Sequence, residues 1–330
     1  MELIIAKYCL ELYANLKDFL PTKQYYDILT LLKLERDDMY SEKLDKIKIA
    51  GFVLKPDDPA IRLLYIRIKS QFEAKGIAVL LAEHSAKMIG LEGVPFDKMC
   101  EESDFLVSLG GDGTLLSLVR KSYAFNKPVV GINAGTLGFL ADITIDDVEL
   151  FLNQLLLDVY RIDDRMMIAG RIEKRNGTSE SFFAFNDVVI SSPKPSKMVQ
   201  VNASISGERF NSYRGDGLII STPTGSTAYN LAAGGPVVYP LTKAFIITPV
   251  LAHSLANQRP LVVPADFSIE LDTEKYEAIA TIDGQEVYAM EEGDVLFIEG
   301  AKKGAKLLHR RERNYFSVLR EKLHWGDKLW

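Results

Sequence analysis

Asp112 is the one reactive side chain inside a run of glycines, Leu109-Gly110-Gly111-Asp112-Gly113-Thr114. The apolar residues before it, Leu106-Val107-Ser108-Leu109, read as a buried strand, and Leu115-Leu116 resumes as a helix-compatible segment. Glycines at such a turn let backbone amides come close to a phosphate or a sugar, because no Cβ stands in the way. A carboxylate at the carboxyl end of a strand also falls where open α/β sheets bind ligands. A plain surface turn would use the same glycines, so the reading depends on what lies downstream.

Three further stretches carry the same kind of chemistry. Gly131-Ile132-Asn133-Ala134-Gly135-Thr136-Leu137-Gly138-Phe139-Leu140 again ends a strand in glycines, with Phe139 and Leu140 either an apolar wall for a flat base or a core plug. In Phe185-Asn186-Asp187-Val188-Val189-Ile190 a polar pair interrupts an apolar strand, and a buried amide beside a carboxylate must find partners. Ribose hydroxyls would serve, and so would backbone in a bulge. The longest stretch runs Arg214-Gly215-Asp216-Gly217, then Ser221-Thr222-Pro223-Thr224-Gly225-Ser226-Thr227-Ala228-Tyr229-Asn230, then Gly234-Gly235-Pro236. Its amides and hydroxyls suit phosphate oxygens at a helix N-terminus. A helix cap explains one hydroxyl, but there are six, counting Tyr229, within nine positions. His253 is the histidine nearest a plausible site loop and reads as structural.

The elements that position these motifs follow from hydrophobic spacing. Residues 1–45 alternate apolar and charged positions at helical intervals (Leu10, Tyr13, Leu16, Leu20, then Tyr26, Leu29, Leu32, Leu34) around Pro21, which predicts a two-helix extension. Residues 47–54 predict a strand, 60–75 a helix and 77–81 a second strand. That β-α-β unit implies a parallel, Rossmann-like sheet with a right-handed crossover, continued by 105–109 and 128–132. Helix 148–156 then leads into alternating segments at 165–173, 181–190, 199–205, 217–221, 268–271, 278–282 and 295–299, a β-rich texture. A last helix is predicted over 314–323. We therefore expect a helical extension (1–45), an α/β domain (46–146 with about 305–330) and a β-rich domain (147–304).

Composition narrows the class. A chain of 330 residues, 47% apolar and 25% charged, has room for two ordinary globular cores. Its net charge of −6 offers no electrostatic footprint for nucleic acid or an anionic membrane, so a polyanionic ligand needs a local site. Cys9 and Cys100 have no metal-ligand spacing. There is no apolar run long enough to span a bilayer, and Met1-Glu2-Leu3-Ile4-Ile5 lacks a signal-peptide start. These features predict a cytoplasmic protein.

The combination of motifs resembles the NAD kinase family. Gly-Gly-Asp-Gly-Thr is shared with diacylglycerol and sphingosine kinases, whereas Asn-x-Gly-x-Leu-Gly-Phe-Leu, Asn-Asp and Thr-Pro-Thr-Gly-Ser-Thr-Ala-Tyr in that order are far more specific. The resemblance covers roughly residues 46–323. It implies an ATP-dependent kinase that phosphorylates the 2′-hydroxyl of the adenosine ribose of NAD. It also implies a β-sandwich-like C-terminal domain, a C-terminal helix returning to the first domain, and a homodimer or homotetramer. Carried over by position, Asp112 resembles the family's proton acceptor, with Gly113 and Phe139 lining the same site. Asn186 and Asp187 resemble the pair that holds the ribose, where the family often carries Glu in place of Asp187. Asp216, with Arg214 before it, resembles a carboxylate that meets NAD. Thr227, Ala228, Tyr229, Asn230, Leu231 and Ala232 match the loop along the dinucleotide, and Lys197 and Gln285 match further NAD-binding positions.

The chemistry agrees. A ribose hydroxyl is a poor nucleophile at neutral pH, so a carboxylate in hydrogen-bond reach is the economical base. Phosphoryl transfer otherwise needs positioning and charge neutralisation, which Mg²⁺ or another divalent cation bound with ATP would supply. The chain has no Gly-x-x-x-x-Gly-Lys-Ser/Thr sequence, so it does not cradle the nucleotide as P-loop proteins do. Two rivals remain at this stage: a lipid kinase of the same superfamily, which needs an apolar groove, and a non-catalytic NAD(H) or NADP(H) sensor.

Overall fold

A computed structural model describes residues 42–135, 138–194, 197–254, 258–274 and 276–326. The helical extension predicted over 1–45 therefore lies almost wholly outside the described residues. The first unit is built from β1 (Ile49–Leu54), α1 (Ile61–Ala74), β2 (Ala78–Leu81), α2 (Glu83–Ile89), α3 (Phe96–Glu102), β3 (Phe105–Gly110), α4 (Asp112–Lys121), β4 (Val129–Asn133), the short β5 (Ile143–Thr144), α5 (Val148–Leu156) and β6 (Tyr160–Arg165). Strands β1, β2, β3 and β4 are mutually parallel, in the order β2-β1-β3-β4. Alternation along each strand explains why helices cover both faces. Ala50, Phe52 and Leu54 pack with α1 and α5, while Val53 and Leu106 turn to α3 and α4.

The β-rich unit follows: β7 (Ile168–Glu173), β8 (Ser179–Ala184), β9 (Asp187–Ser191), β10 (Val199–Ile205), β11 (Glu208–Gly215) and β12 (Gly217–Ser221). After α6 (Tyr229–Ala232) come β13 (Ala244–Val250), β14 (Leu261–Pro264), β15 (Ile269–Asp272), β16 (Ala278–Ile282), β17 (Glu286–Met290) and β18 (Val295–Gly300). Among the described residues they form two antiparallel sheets, ordered β11-β10-β15-β18-β7-β8 and β14-β13-β12-β9-β16-β17. Ile168, Val201 and Leu271 from one sheet share a core with Val188, Ile220 and Phe245 from the other, so the two sheets pack face to face.

β19 (Ala305–Arg310) carries the chain back into the first sheet, parallel to β4 and antiparallel to β6. The closing helix α7 (Tyr315–Leu323) is capped by the Asn314 side chain and rests Tyr315 and Phe316 on Tyr239. Past residue 147, where the β-rich domain was expected to begin, α5 packs on the first sheet and β6 pairs with β19. One sequence expectation needs correction. Residues 165–173, read as one strand, are the end of β6 and all of β7, which belong to different sheets. Among the described residues, no helix is long and apolar enough to cross a membrane.

Candidate active site

Asp112 is the first residue of α4, directly after the Gly110-Gly111 turn that ends β3. Its carboxylate accepts three backbone N–H groups from the segment after β4. Phe139 N donates to Oδ2 at 2.7 Å, and Leu140 N and Ala141 N donate to Oδ1 at 3.2 and 2.9 Å. Gly138 makes this approach possible: a Cβ there would sit 2.0 Å from Asp112 Oδ1. The first two motifs thus join into one substructure. Phe139 enters through its backbone, with a half-buried side chain.

The third and fourth motifs interlock in the same way. Residues 181–190, read as one strand, are β8 and β9, which lie in different sheets and are joined by a two-residue link at Phe185-Asn186. Thr222 Oγ1 donates to the Phe185 carbonyl at 2.6 Å, and Thr222 N and Ser221 Oγ donate to the Asn186 carbonyl at 2.8 and 3.2 Å. Gly225 passes so close that a Cβ would lie 2.2 Å from that carbonyl. The Asn186 Oδ1 and Thr224 Oγ1 atoms are buried and have no partner within the protein. Buried polar atoms are costly without a hydrogen bond, so this link offers acceptors suited to ligand hydroxyls.

Asp283, to which the sequence motifs did not point, ties this link down. Its carboxylate accepts the backbone N–H groups of Phe185, Asn186 and Asp187 at 2.7 to 3.2 Å. The signal was an Asp-Gly pair, which reads first as a hairpin turn, and both Asp283 and Gly284 do have positive φ. Burial, and second the Asp283 charge, push the Asp187 carboxyl up to about 7. Desolvation likewise raises Asp283, against the pull of its three N–H donors and of Arg120. Arg120, near the end of α4, is also a residue the sequence did not single out. It donates to the Ile282 carbonyl at 3.1 Å, Gln285 Oε1 at 3.3 Å and Glu286 Oε1 at 2.9 Å. Gln285 in turn donates from Nε2 to the Gly113 carbonyl at 2.9 Å. One helix therefore presents Asp112 at its start and grips the strand ends around Asp187 near its end.

A cavity of about 890 Å³ opens beside the Gly111-Gly113 turn. Lys55, His84 and Lys121 supply basic groups around it, with Thr114, Ser117 and Gln285 adding polar ones. Burial, and then Lys121, lower the His84 pKa. The backbone amides at the start of α4 face the same region, a favourable arrangement for anions. The chain order gave no sign that these three basic residues converge.

Other predicted site residues are placed differently. Thr227, Ala228, Tyr229, Leu231 and Ala232 lie half-buried or exposed along the loop and α6. Asn230 is fully buried, and its amide is already engaged: Nδ2 donates to the Ser226 and Pro236 carbonyls at 3.0 Å, and Oδ1 accepts from Thr248 at 2.6 Å. It holds the loop from inside. Lys197, Arg214 and Asp216 are exposed and gather at the other end of β12. Asp187 pairs with Ser221 and Ser191 with Gly217, so roughly 13 Å of strand separates the two groups. His253 joins this second group through its N–H to the Arg214 carbonyl, 2.9 Å.

A two-unit α/β and β-sandwich enzyme with a carboxylate at a glycine turn is the class that fold and site define. The chain matches the ATP-NAD kinase N-terminal domain over residues 51–160 and the ATP-NAD kinase C-terminal domain over residues 185–310. An NAD kinase of Wolinella succinogenes is 49% identical over 287 residues, which cover 87% of this chain and 98% of that protein. Among solved structures, an Archaeoglobus fulgidus NAD kinase in complex with ATP aligns with a TM-score of 0.66 at 27% identity, covering 84% of this chain and 98% of that one. Yeast NADH kinase complexed with NADH shares the fold, with a TM-score of 0.80 at 23% identity over 87% and 90% of the two chains. The chain belongs to the NAD kinase family.

Proposed function

We propose that this chain transfers the γ-phosphoryl group of ATP to the 2′-hydroxyl of the adenosine ribose of NAD, giving NADP and ADP, with Asp112 as the proton acceptor. One observation carries the site assignment. The Asp112 carboxylate is fixed by three backbone amides, on a turn linked through Gln285 to the segment where Asn186 Oδ1 lacks a protein partner. An ionised carboxylate has about four lone-pair sites, so three donors orient it and leave one for the ribose hydroxyl. As the ribose oxygen forms its bond to phosphorus, its O–H proton passes to Asp112. The bond from the γ-phosphorus to the β–γ bridging oxygen breaks, and ADP leaves with the electron pair. Asn186, Asp187 and the 227–232 loop hold the acceptor, except Asn230, which supports the loop from inside.

The cavity lined by Lys55, His84 and Lys121 is where we place the ATP triphosphate. Among the described residues no three His, Cys, Asp or Glu side chains cluster into a metal cage. Mg²⁺ binds through one or two carboxylates, waters and substrate phosphates; with Asp112 committed to three amides and the ribose hydroxyl, the cation would travel with ATP, held chiefly by its phosphates and by water. Bound there, it would neutralise charge on the transferring group. We further assign the protein to the cytosol as a homodimer or homotetramer, and divide it into an α/β unit of about 46–165 with 305–326 and a β-rich unit of about 166–304. Incubating the purified full chain with ATP, Mg²⁺ and either NAD or diacylglycerol tests the reading. NADP and ADP formed in equal amounts is the expected result. Phosphorylation of the lipid, or binding of NAD without turnover, overturns it.

A further inference from the structure

The segment that caps Asp112 is itself held from behind by a buried group of charges. His309 is the penultimate residue of β19, and Arg313 follows four residues later, just before α7. Both meet Asp142, the residue after the last of the three amides on Asp112. Arg313 and Asp142 are 6% and 8% exposed at their side chains, and His309 1%. We propose that Arg313, Asp142 and His309 are positioning residues that set the orientation of the Asp112 carboxylate by clamping the 139–141 amides. The inference rests on the reading of Asp112 as proton acceptor.

The contacts grip both ends of that short segment. Arg313 Nη2 donates to the carbonyl of Phe139, the residue whose N–H goes to Asp112 Oδ2. Arg313 Nε lies 3.0 Å from Asp142 Oδ2 and pairs with it, and Asp142 directly follows Ala141, whose N–H goes to Asp112 Oδ1. His309 Nδ1 lies 3.1 Å from the same Asp142 oxygen. A carboxylate only accepts, so the tautomer that fits carries its proton on Nδ1. Arg313 Nη1 lies 3.1 Å from Nδ1 and 2.9 Å from Nε2, so the guanidinium packs against the ring as well as against Asp142. Burial, and then the Arg313 charge, hold the imidazole down at about 4, so the neutral ring is the form present at pH 7. Behind it, Arg165 pairs with Asp163 at 2.8 Å and continues the network.

Stability alone is a poor reason to bury so much charge, since an apolar replacement of a buried ion pair is often neutral or better. A fixed direction at the Phe139 carbonyl is what the guanidinium supplies and an apolar side chain would not. A small displacement of a reacting group can cost on the order of 10²-fold in rate, so loosening this clamp acts on turnover through Asp112.

The test is a double-mutant cycle in the full chain. Arg313→Lys and Asp142→Asn are made alone and each in combination with Asp112→Asn. Turnover, KM for NAD and melting temperature are measured for all of them. Each single variant is expected to lower kcat by about 10- to 100-fold with KM for NAD nearly unchanged, and to cause no further loss in the Asp112→Asn background. The same fold-loss in both backgrounds, or a lower melting temperature with normal kcat, overturns the positioning role. Should Arg313→Lys fail to fold, the near-isosteric Asp142→Asn carries the same cycle. Near-normal turnover in Asp112→Asn alone overturns the base assignment, and this inference with it. A large loss there combined with additive partners overturns the clamp only.

Discussion

Asp112 meets its substrate with a carboxylate that Phe139, Leu140 and Ala141 have already turned. Asp112→Asn keeps the size of the side chain but removes the proton acceptor and sets an NH₂ against amide donors. Turnover should fall by about two to four orders of magnitude, the scale of lost general-base help, while NAD affinity changes far less. Steady-state kinetics with direct NAD titration checks this, and a variant with near-normal kcat refutes the assignment. Asp187 makes a prediction of a different kind. Its carboxyl titrates near 3.8 when unfolded and about 7 when folded, chiefly because it is buried. Between those values the folded state keeps a proton that the unfolded chain has released. The stability linked to this group is thus present below about pH 4 and is lost as pH rises to about 7. Asp187→Asn has no such proton to lose. Its melting temperature, measured without ligand, should gain on the parent from pH 5 to about pH 7 and then level off. A difference that stays flat across that range means the carboxyl is not shifted by its surroundings.

At the scale of elements, the link at Phe185-Asn186 shows how one loop depends on another. Asp283 supplies acceptors for three successive N–H groups, and an amide in its place would turn a donor toward one of them. Asp283→Asn should therefore cost about 1–3 kcal/mol of stability, the penalty of a buried donor left unpaired. It should also raise KM for NAD more than it lowers kcat, because the ribose pair shifts while Asp112 does not. Chemical denaturation and steady-state kinetics on the same preparation would show both effects, and an unchanged KM would detach Asp283 from the site. Much of this level was legible in the sequence. The strands and helix around 49–81, the helix at 148–156 and the Asp112 and Asn186-Asp187 motifs all announce themselves by apolar period or glycine spacing. What was hidden depends on distant pairing. The 165–173 run gives no local sign that Arg165 and Ile168 belong to different sheets. Asn230 sits in a hydroxyl-rich loop that looks exposed, yet its amide closes the loop from inside. Asp283 and Arg120 become site residues only because α4 crosses to the β16 end, a contact separated by 162 positions.

The molecule as a whole places its site where the two units join. Tyr123 and Phe183 have ring centroids 3.8 Å apart, and Phe185 and Met167 share a buried cluster with Leu115 and Leu118 of α4. The first described residues join this architecture from the other side. Lys43 donates to the Asp158 carbonyl at 2.6 Å and lies 4.8 Å over the Tyr160 ring, and Leu44 N donates to Tyr160 Oη at 2.7 Å. Leu44 also packs against the core of the first sheet, and Glu42 pairs with Lys306 of β19. Two shortened chains separate these contacts from everything before them. A chain begun at Glu42 keeps them all, whereas one begun at Lys46 loses them and leaves the buried Tyr160 hydroxyl without its donor. The Lys46 chain should melt about 2–8 °C below the Glu42 chain, the shift for roughly 1–3 kcal/mol in a protein of this size. Both should phosphorylate NAD, since none of these residues touches the four motifs. Thermal melts, light scattering and kinase assays on the same samples decide it. Equal melting temperatures would show that residues 42–45 only rest on the surface of β6. A Lys46 chain that is folded but inactive would mean that this short segment reaches the site through β6 and β19, the strands that adjoin the Asp142 clamp.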